Sequence, residues 1–257
     1  MGDEARFGGI TRLYGRSALE RLAQAHVAII GVGGVGSWTV EALARSGVGR
    51  LTLVDLDDVC VSNTNRQSHT LISTVGRSKV DVLKERIIAI HPECQVDTQT
   101  TFFTPKTSDA LLQPDYQVVV DAIDQPKNKA LLLSECRDRG VHVICVGAAG
   151  GRQDATAIQV GDLAKSKSDA LLKRVRKILR REYAFPPAHD GPWGITSIYS
   201  TEPPVFPDGQ GDICDDPTVS EAPLRMGCAT GYGAACHVTG TFGFVAAGAT
   251  IDAILTP

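Results

Sequence analysis

No C-x-x-C pair occurs anywhere in the 257-residue sequence, and its seven cysteines are scattered and odd in number. That excludes a four-cysteine zinc site and argues against a disulfide framework. A reducing cytosol is the compartment such a pattern suits. The opening residues, Met1-Gly-Asp-Glu-Ala-Arg6, lack a signal-peptide pattern. No internal repeat, disordered tail or base-reading nucleic-acid motif is visible. One stretch, residues 229–255, is long enough for a membrane span. It is glycine-rich, however, carries His237 and Asp252, and has no basic flank. A buried core or dimer-interface helix is the expectation there, with no stable membrane insertion.

What is present is an ordinary globular composition with an uneven charge map. The net charge is only −3, yet residues 165–181 hold eight Lys/Arg against the single acid Asp169. The remainder of the chain must be correspondingly acidic, so this one patch suits an anionic partner.

Between residues 26 and 147 apolar runs alternate with helical patterns. Strands are expected at 26–32, 51–54, 95–100, 116–123 and 141–146, and helices at 37–46, 78–90 and 127–139. Such alternation means an α/β fold, a doubly wound and mainly parallel sheet with helices on both faces. After residue 151 the regularity fades into an irregular C-terminal extension. A strand at 156–160, a basic helix at 169–181 and a strand at 197–200 are expected there. Residues 182–226 hold eight of the thirteen prolines and read as a long, partly ordered excursion.

The chemistry concentrates at the strand ends. Gly31-Val-Gly33-Gly34-Val-Gly36-Ser37 follows the apolar run Val27-Ala-Ile-Ile30. Glycines there let a phosphate approach the backbone N–H groups, and the following helix adds unpaired donors. The turn alone leaves the nucleotide open, since Gly31, Gly33 and Gly36 also fit a dinucleotide fingerprint. Asp55, at the end of the second strand, suits ribose hydroxyls in either case. The polar segment from Asp57 through Asn63, Asn65, Arg66 and Gln67 offers a guanidinium fork beside amides, which suits a polyphosphate. Lys79 can hold a phosphate as a point charge. Asp121 and Asp124 end an apolar strand, where a carboxylate can hold Mg²⁺ against the phosphates of ATP. Asp124 is the stronger candidate ligand, and Asp121 serves equally well as a structural acceptor.

Taken together, Gly31–Ser37, Asp55-Leu-Asp57, Asn63-x-x-Arg66-Gln67, Lys79 and Asp121-x-x-Asp124 resemble the adenylation domain of E1-like, ubiquitin-activating-type enzymes. The resemblance implies a Rossmann-like fold, one adenylation domain over residues 1–257, with a nucleotide-binding core at 1–150 and a substrate-side and dimer-interface region at 151–257. It implies ATP and Mg²⁺, with Arg66 and Lys79 on phosphates, Asp55 on ribose, Asn63 helping to position phosphates and Asp124 on the metal. Arg66, Lys79 and Asp124 would be the catalytic set. A homodimer is also implied, although the R-[YF]-x-R opening of many relatives reads Arg6-Phe-Gly-Gly9 here, leaving Arg6 and Arg12 as alternatives for a residue that crosses to the partner.

Within the family, Arg6-Phe-Gly-Gly-x-x-Arg12-Leu-Tyr-Gly15, Asn63-Thr-Asn-Arg-Gln67, Gly147-x-x-Gly150-Gly151 and Thr241-Phe-Gly-Phe-Val-Ala246 resemble a branch that acts on threonylcarbamoyl-adenosine beside the tRNA anticodon. Adenylation of the threonyl carboxylate and ring closure with loss of water are the implied chemistry. Lys173, Arg174, Arg176, Lys177, Arg180 and Arg181 then become candidates for tRNA phosphates. An activator of a ubiquitin-like or sulfur-carrier protein is the alternative, which the missing C-x-x-C pairs lower, and a sulfur-transfer protein is a further candidate partner. A nicotinamide-dependent oxidoreductase would not need Asn63–Gln67 or Asp124. Neither Cys60 nor Cys228 has a local signature for a reactive thiol.

Overall fold

The computed structural model describes residues 3–112, 115–208, 210–215 and 232–256. Two helices come first, α1 (Asp3–Tyr14) and α2 (Arg16–Gln24). The alternating part follows as β1 (His26–Ile30), α3 (Gly34–Arg45), β2 (Arg50–Val54), α4 (Lys79–Ile90), β3 (Gln95–Gln99), the single turn α5 (Ser108–Leu111), β4 (Val118–Asp121), α6 (Pro126–Arg139) and β5 (His142–Val146). Beyond it lie β6 (Ile158–Asp162), α7 (Ala170–Glu182), β7 (Thr196–Ser200), the short pair β8 (Phe206–Pro207) and β9 (Ile213–Cys214), and α8 (Cys236–Leu255).

Seven strands form one sheet in the order β3-β2-β1-β4-β5-β7-β6. All neighbours run parallel except β6, which returns antiparallel along β7. The sheet is apolar on both faces, as a doubly wound sheet must be. Val27, Ile29, Leu51, Leu53, Val118 and Val120 point to the face covered by α3, α4 and α8. Ala28, Ile30, Val54, Val119 and Val143 point to the face covered by α6 and α7. Each fully buried Leu, Ile or Phe contributes about 1.5–3 kcal/mol, and both layers are full of them. The chain leaves β1 in one direction and β4 in the other, so a crevice opens between their carboxyl ends.

The expected elements are present, with shifted ends that have local causes. Helix α3 begins at Gly34 rather than Ser37, because Gly33 already serves as its N-cap. Strand β4 stops at Asp121, two residues early, because the buried Lys129 takes the carbonyls of Asp121 and Ile123 at 3.1 Å each. Ser78 stands at the N-cap of α4 but makes no side-chain cap bond. Helices α1 and α2 precede the first element the sequence pattern predicts. Two of the excursion's prolines sit in or beside ordered strands (Pro204, Pro207), while residues 216–226 and Cys228 lie outside the described residues.

Helix α8 is the one helix among the described residues long and apolar enough to cross a membrane. It lies against α3 and across the sheet, with Val238, Phe242, Ala246 and Ile251 in the core. Over 236–255 the core-helix expectation therefore holds, and residues 229–231 of that stretch lie outside the described residues. Close packing needs Gly243: an alanine Cβ there would lie 2.6 Å from Trp38 Cβ and 2.7 Å from Val35 O. Gly248, one and a half turns on, has nothing within 4 Å. Gly243→Ala is expected to destabilise by about 1–3 kcal/mol through overpacking. Gly248→Ala should stabilise by about 0.5–1 kcal/mol through helix propensity. Urea unfolding of the two variants measures both the sizes and the opposite signs.

Candidate active site

The crevice at the carboxyl ends of β1 and β4 is a cleft of about 690 Å³. Its first wall is the glycine turn. Gly31 has φ +90°, a conformation open to glycine. A Cβ on Gly36 would lie 2.0 Å from Gly31 O, so α3 backs directly onto the end of β1. Gly31, Gly33 and Gly34 line the cleft, and Gly36 makes the approach possible from behind. Asp55 clamps this turn to β2: one carboxylate oxygen accepts the N–H of Val32 and the other that of Asp57, each at 2.9 Å. Burial pushes the Asp55 carboxyl up from its usual range, against the opposing pull of Lys79 and the two backbone donors.

The second wall comes from the connection between β2 and α4. Arg66 lines the cleft, with Nη1 donating to Ser62 O at 2.8 Å and Asn65 Oδ1 at 2.9 Å. Its carbonyl accepts Trp38 Nε1–H at 3.0 Å. Asn65 donates to Ala234 O at 2.7 Å and so ties this wall to the residues before α8. Lys79 is buried, lines the cleft, and pairs with Asp57 Oδ2 at 2.8 Å. Gln67 is buried at the cleft with Oε1 unpartnered. Two expected contacts are relocated by the structure. Asn63 is buried outside the cleft lining, where its Oδ1 accepts Cys60 N–H at 3.1 Å and its carbonyl accepts the N–H groups of Arg66 and Gln67. It shapes the loop that carries Arg66. Asp57 likewise holds Lys79 instead of lining the cleft.

Asp121 is also corrected. It is completely buried and pairs with the equally buried Lys129, Oδ2 to Nζ at 3.0 Å. It takes the structural one of its two expected roles and cannot touch a ligand. Burial works against the Lys129 charge, but the Asp121 carboxylate outweighs it and holds the ammonium above the ordinary lysine range. Asp124, three residues on, is exposed at the cleft.

Two further walls were not anticipated. Val54, Phe102, Phe103 and Ile123 make an apolar slot. The adjacent phenylalanines after a strand end were the available signal. On the far side, Gly147–Gly150 and Tyr232–Ala234 line the cleft together with Leu171, from the first turn of α7. Along α7, Leu172, Val175 and Leu179 are buried while Lys173, Arg174, Lys177, Arg180 and Arg181 are exposed. Arg176 differs from its neighbours: it is half-buried and bonded to Ser166 Oγ. Cys60 is an exposed thiol outside the cleft lining.

A model of the ThiF family matches residues 9–188. The chain is 46% identical over 241 residues to the tRNA threonylcarbamoyladenosine dehydratase of Escherichia coli, covering 94% of this chain and 90% of that one. Against the Haemophilus influenzae protein of the same name the identity is 45% over 252 residues, covering 98% and 94%. The crystal structure of the E. coli tRNA N6-threonylcarbamoyladenosine dehydratase in complex with ATP matches with a TM-score of 0.87 at 41% identity, covering 99% of this chain and 96% of that one.

Removing one member of the Lys129–Asp121 pair leaves a buried charge uncompensated. Lys129→Met is expected to cost about 3–5 kcal/mol, read by urea unfolding, and Asp121→Asn added to it should restore part of the loss. His69, in the same connection as Arg66, gives a pH signature. It is 1% exposed and desolvation lowers its pKa from 6.5 to about 4. The unfolded chain therefore binds the proton first. Stability is full above pH 6.5 and is lost as pH falls toward 4, by about 3 kcal/mol at the limit. In His69→Leu that part of the acid slope should vanish from denaturation midpoints measured across pH 4–7.

Proposed function

The chain belongs to the ThiF family, and we propose that its cleft performs an ATP-dependent dehydration of threonylcarbamoyl-adenosine in tRNA. The observation that carries this reading is a single cleft with three kinds of wall. It has a glycine turn flanked by Arg66 and Lys79, an exposed carboxylate at Asp124, and a glycine-rich side that reaches the start of a basic helix.

A carboxylate is a poor electrophile, so it must first acquire a leaving group. The substrate's threonyl carboxylate oxygen attacks the α-phosphorus of ATP, and pyrophosphate leaves. A nitrogen of the substrate's own carbamoyl group then attacks the activated carbonyl carbon and expels AMP. The nitrogen loses its proton, a ring closes, and the net change is one water lost. No nucleophile from the enzyme is needed, because the reacting nitrogen is part of the same molecule.

The residues divide this work. The glycine turn and the start of α3 present N–H groups to the phosphates. Lys79 exchanges Asp57 for a phosphate oxygen, and Arg66 offers the rest of its fork. Both stabilise charge that grows on the phosphates as bonds change. Asp55 takes the ribose, and Val54, Phe102, Phe103 and Ile123 the base. Asp124 fits Mg²⁺: it is a hard oxygen donor exposed at the cleft, and no cluster of three ligating side chains surrounds it among the described residues. A single carboxylate with phosphate oxygens is how this ion is usually held. When bound it supplies Lewis-acid neutralisation of the phosphates.

The exposed face of α7 contacts tRNA phosphates through Lys173, Arg174, Lys177, Arg180 and Arg181, and Arg176 braces that helix from inside. The working unit is a homodimer in the cytoplasm. Exposed Leu56, Val61, Leu71, Ile72 and Val75, all on the connection that carries Arg66, are suited to burial against a second copy. Activation of a sulfur-carrier protein would instead make AMP formation depend on a protein ending in Gly-Gly.

Incubating threonylcarbamoyl-tRNA with ATP, Mg²⁺ and the protein should give a nucleoside lighter by one water in mass spectrometry. Omitting ATP or adding a chelator should abolish the change. Lys79→Met should slow it about 100-fold or more. AMP release from unmodified tRNA at the same rate would contradict the proposal.

A further inference from the structure

Helix α7 and the substrate-side wall of the cleft meet at one buried carboxylate. Asp169 is 4% exposed. As the N-cap of α7, its Oδ1 accepts the N–H of Leu172 at 2.8 Å. Its Oδ2 reaches across and accepts the N–H of Ala148, also at 2.8 Å. Ala148 belongs to the glycine-rich wall after β5. The fit is close: a Cβ on residue 147 would lie 2.3 Å from Asp169 Oδ2. Capping needs one acceptor oxygen, so the second oxygen is free to join two elements.

A second contact locks the same junction. Ser168 has φ +55°, a left-handed conformation that a non-glycine residue holds only when its surroundings fix it. Its carbonyl accepts Arg152 Nη2–H at 2.7 Å, and Arg152 is itself buried two residues beyond Gly150. The start of α7 is thus bonded to the wall segment twice, at Ala148 within it and at Arg152 just beyond it. Leu171, in the first turn of the helix, lines the cleft.

We propose that Asp169 is a positioning residue for the reaction. It fixes the basic helix that holds the RNA to the wall that receives the substrate carboxylate, so that RNA bound on α7 delivers its carboxylate to the α-phosphorus. The proposal rests on the reading of α7 as an RNA-contacting face.

Asp169→Asn separates the two bonds, because one acceptor oxygen then remains for two N–H donors. Asparagine caps a helix as well as aspartate, so α7 is kept and the Ala148 bond is lost. Gly147→Ala disturbs the same contact from the other side and leaves the capping chemistry unchanged. Wild type, both variants and the double variant Lys173→Glu/Arg174→Glu are compared for tRNA affinity, ATP affinity, melting temperature and the rate of AMP formation at saturation. Asp169→Asn and Gly147→Ala should bind tRNA and ATP within about threefold of wild type and turn over about tenfold slower or worse. Wild-type turnover in these variants would overturn the proposal. So would a parallel fall of affinity, melting temperature and rate, which is the signature of a cap and nothing more. Unchanged tRNA affinity in the double variant would remove the reading of α7 and this proposal with it. Weakened affinity there, with normal turnover in Asp169→Asn, would overturn the proposal alone.

Discussion

A lysine ammonium with no access to water, Lys129, organises the carboxyl ends of the central strands. It forms an ion pair with the Asp121 carboxylate and donates to the carbonyls of Asp121 and Ile123. Burying such a pair costs several kcal/mol per ion before attraction repays it, so its value is geometric. It ends β4 early and turns the next residues outward. Ala122, held between the two anchored carbonyls, is the surface on which Gly31 rests: a Cβ on Gly31 would lie 2.9 Å from Ala122 O. Gly31 in turn is the surface on which Gly36 and α3 rest. Asp124 emerges from this same turn at the cleft. The position of the glycine turn, of the first turn of α3 and of the exposed carboxylate of Asp124 thus all trace back to one buried ion pair.

Electrostatics explain why the cleft needs its cations. A carboxylate attacking a polyphosphate brings two anions together, and at a few ångströms their repulsion is worth several kcal/mol near a protein surface. Lys79 and Arg66 stand on the side of the glycine turn, where Asp57 pairs with Lys79. Asp55 serves a different purpose. Its oxygens accept two backbone N–H groups, which makes it a staple of the turn. On the far side the wall is neutral and glycine-rich, so a substrate can approach closely without meeting another charge.

Much of this could be read from the sequence because strand ends and glycine turns obey local rules. The run Val27–Ile30 followed by Gly31 reads as a strand entering a turn, and the basic pattern at 169–181 reads as a helix. Less legible was anything decided by tertiary contact. Sequence favours Asp124 over Asp121 as a ligand but leaves two roles open to Asp121, and it is the pairing with Lys129, eight residues downstream, that shows Asp121 to be the buried one. Asn63 and Arg66 are three residues apart in one polar segment, yet Asn63 turns inward to hold Cys60 while Arg66 lines the cleft. Phe102 and Phe103 followed a weak strand and carried no periodicity. Arg176 sits among exposed basic residues and is drawn in by Ser166. Helices α1 and α2 were missed because Gly8 and Gly9 dilute the helical signal of the first and the second is short.

The central claim is that the substrate's own carboxylate attacks the α-phosphorus of ATP. Labelling that carboxylate with ¹⁸O and following the label by mass spectrometry tests it directly. Attack at the α-phosphorus, then ring closure, must leave one labelled oxygen in AMP. Label in inorganic phosphate, with ADP as the nucleotide product, would place the attack at the γ-phosphorus and contradict the account.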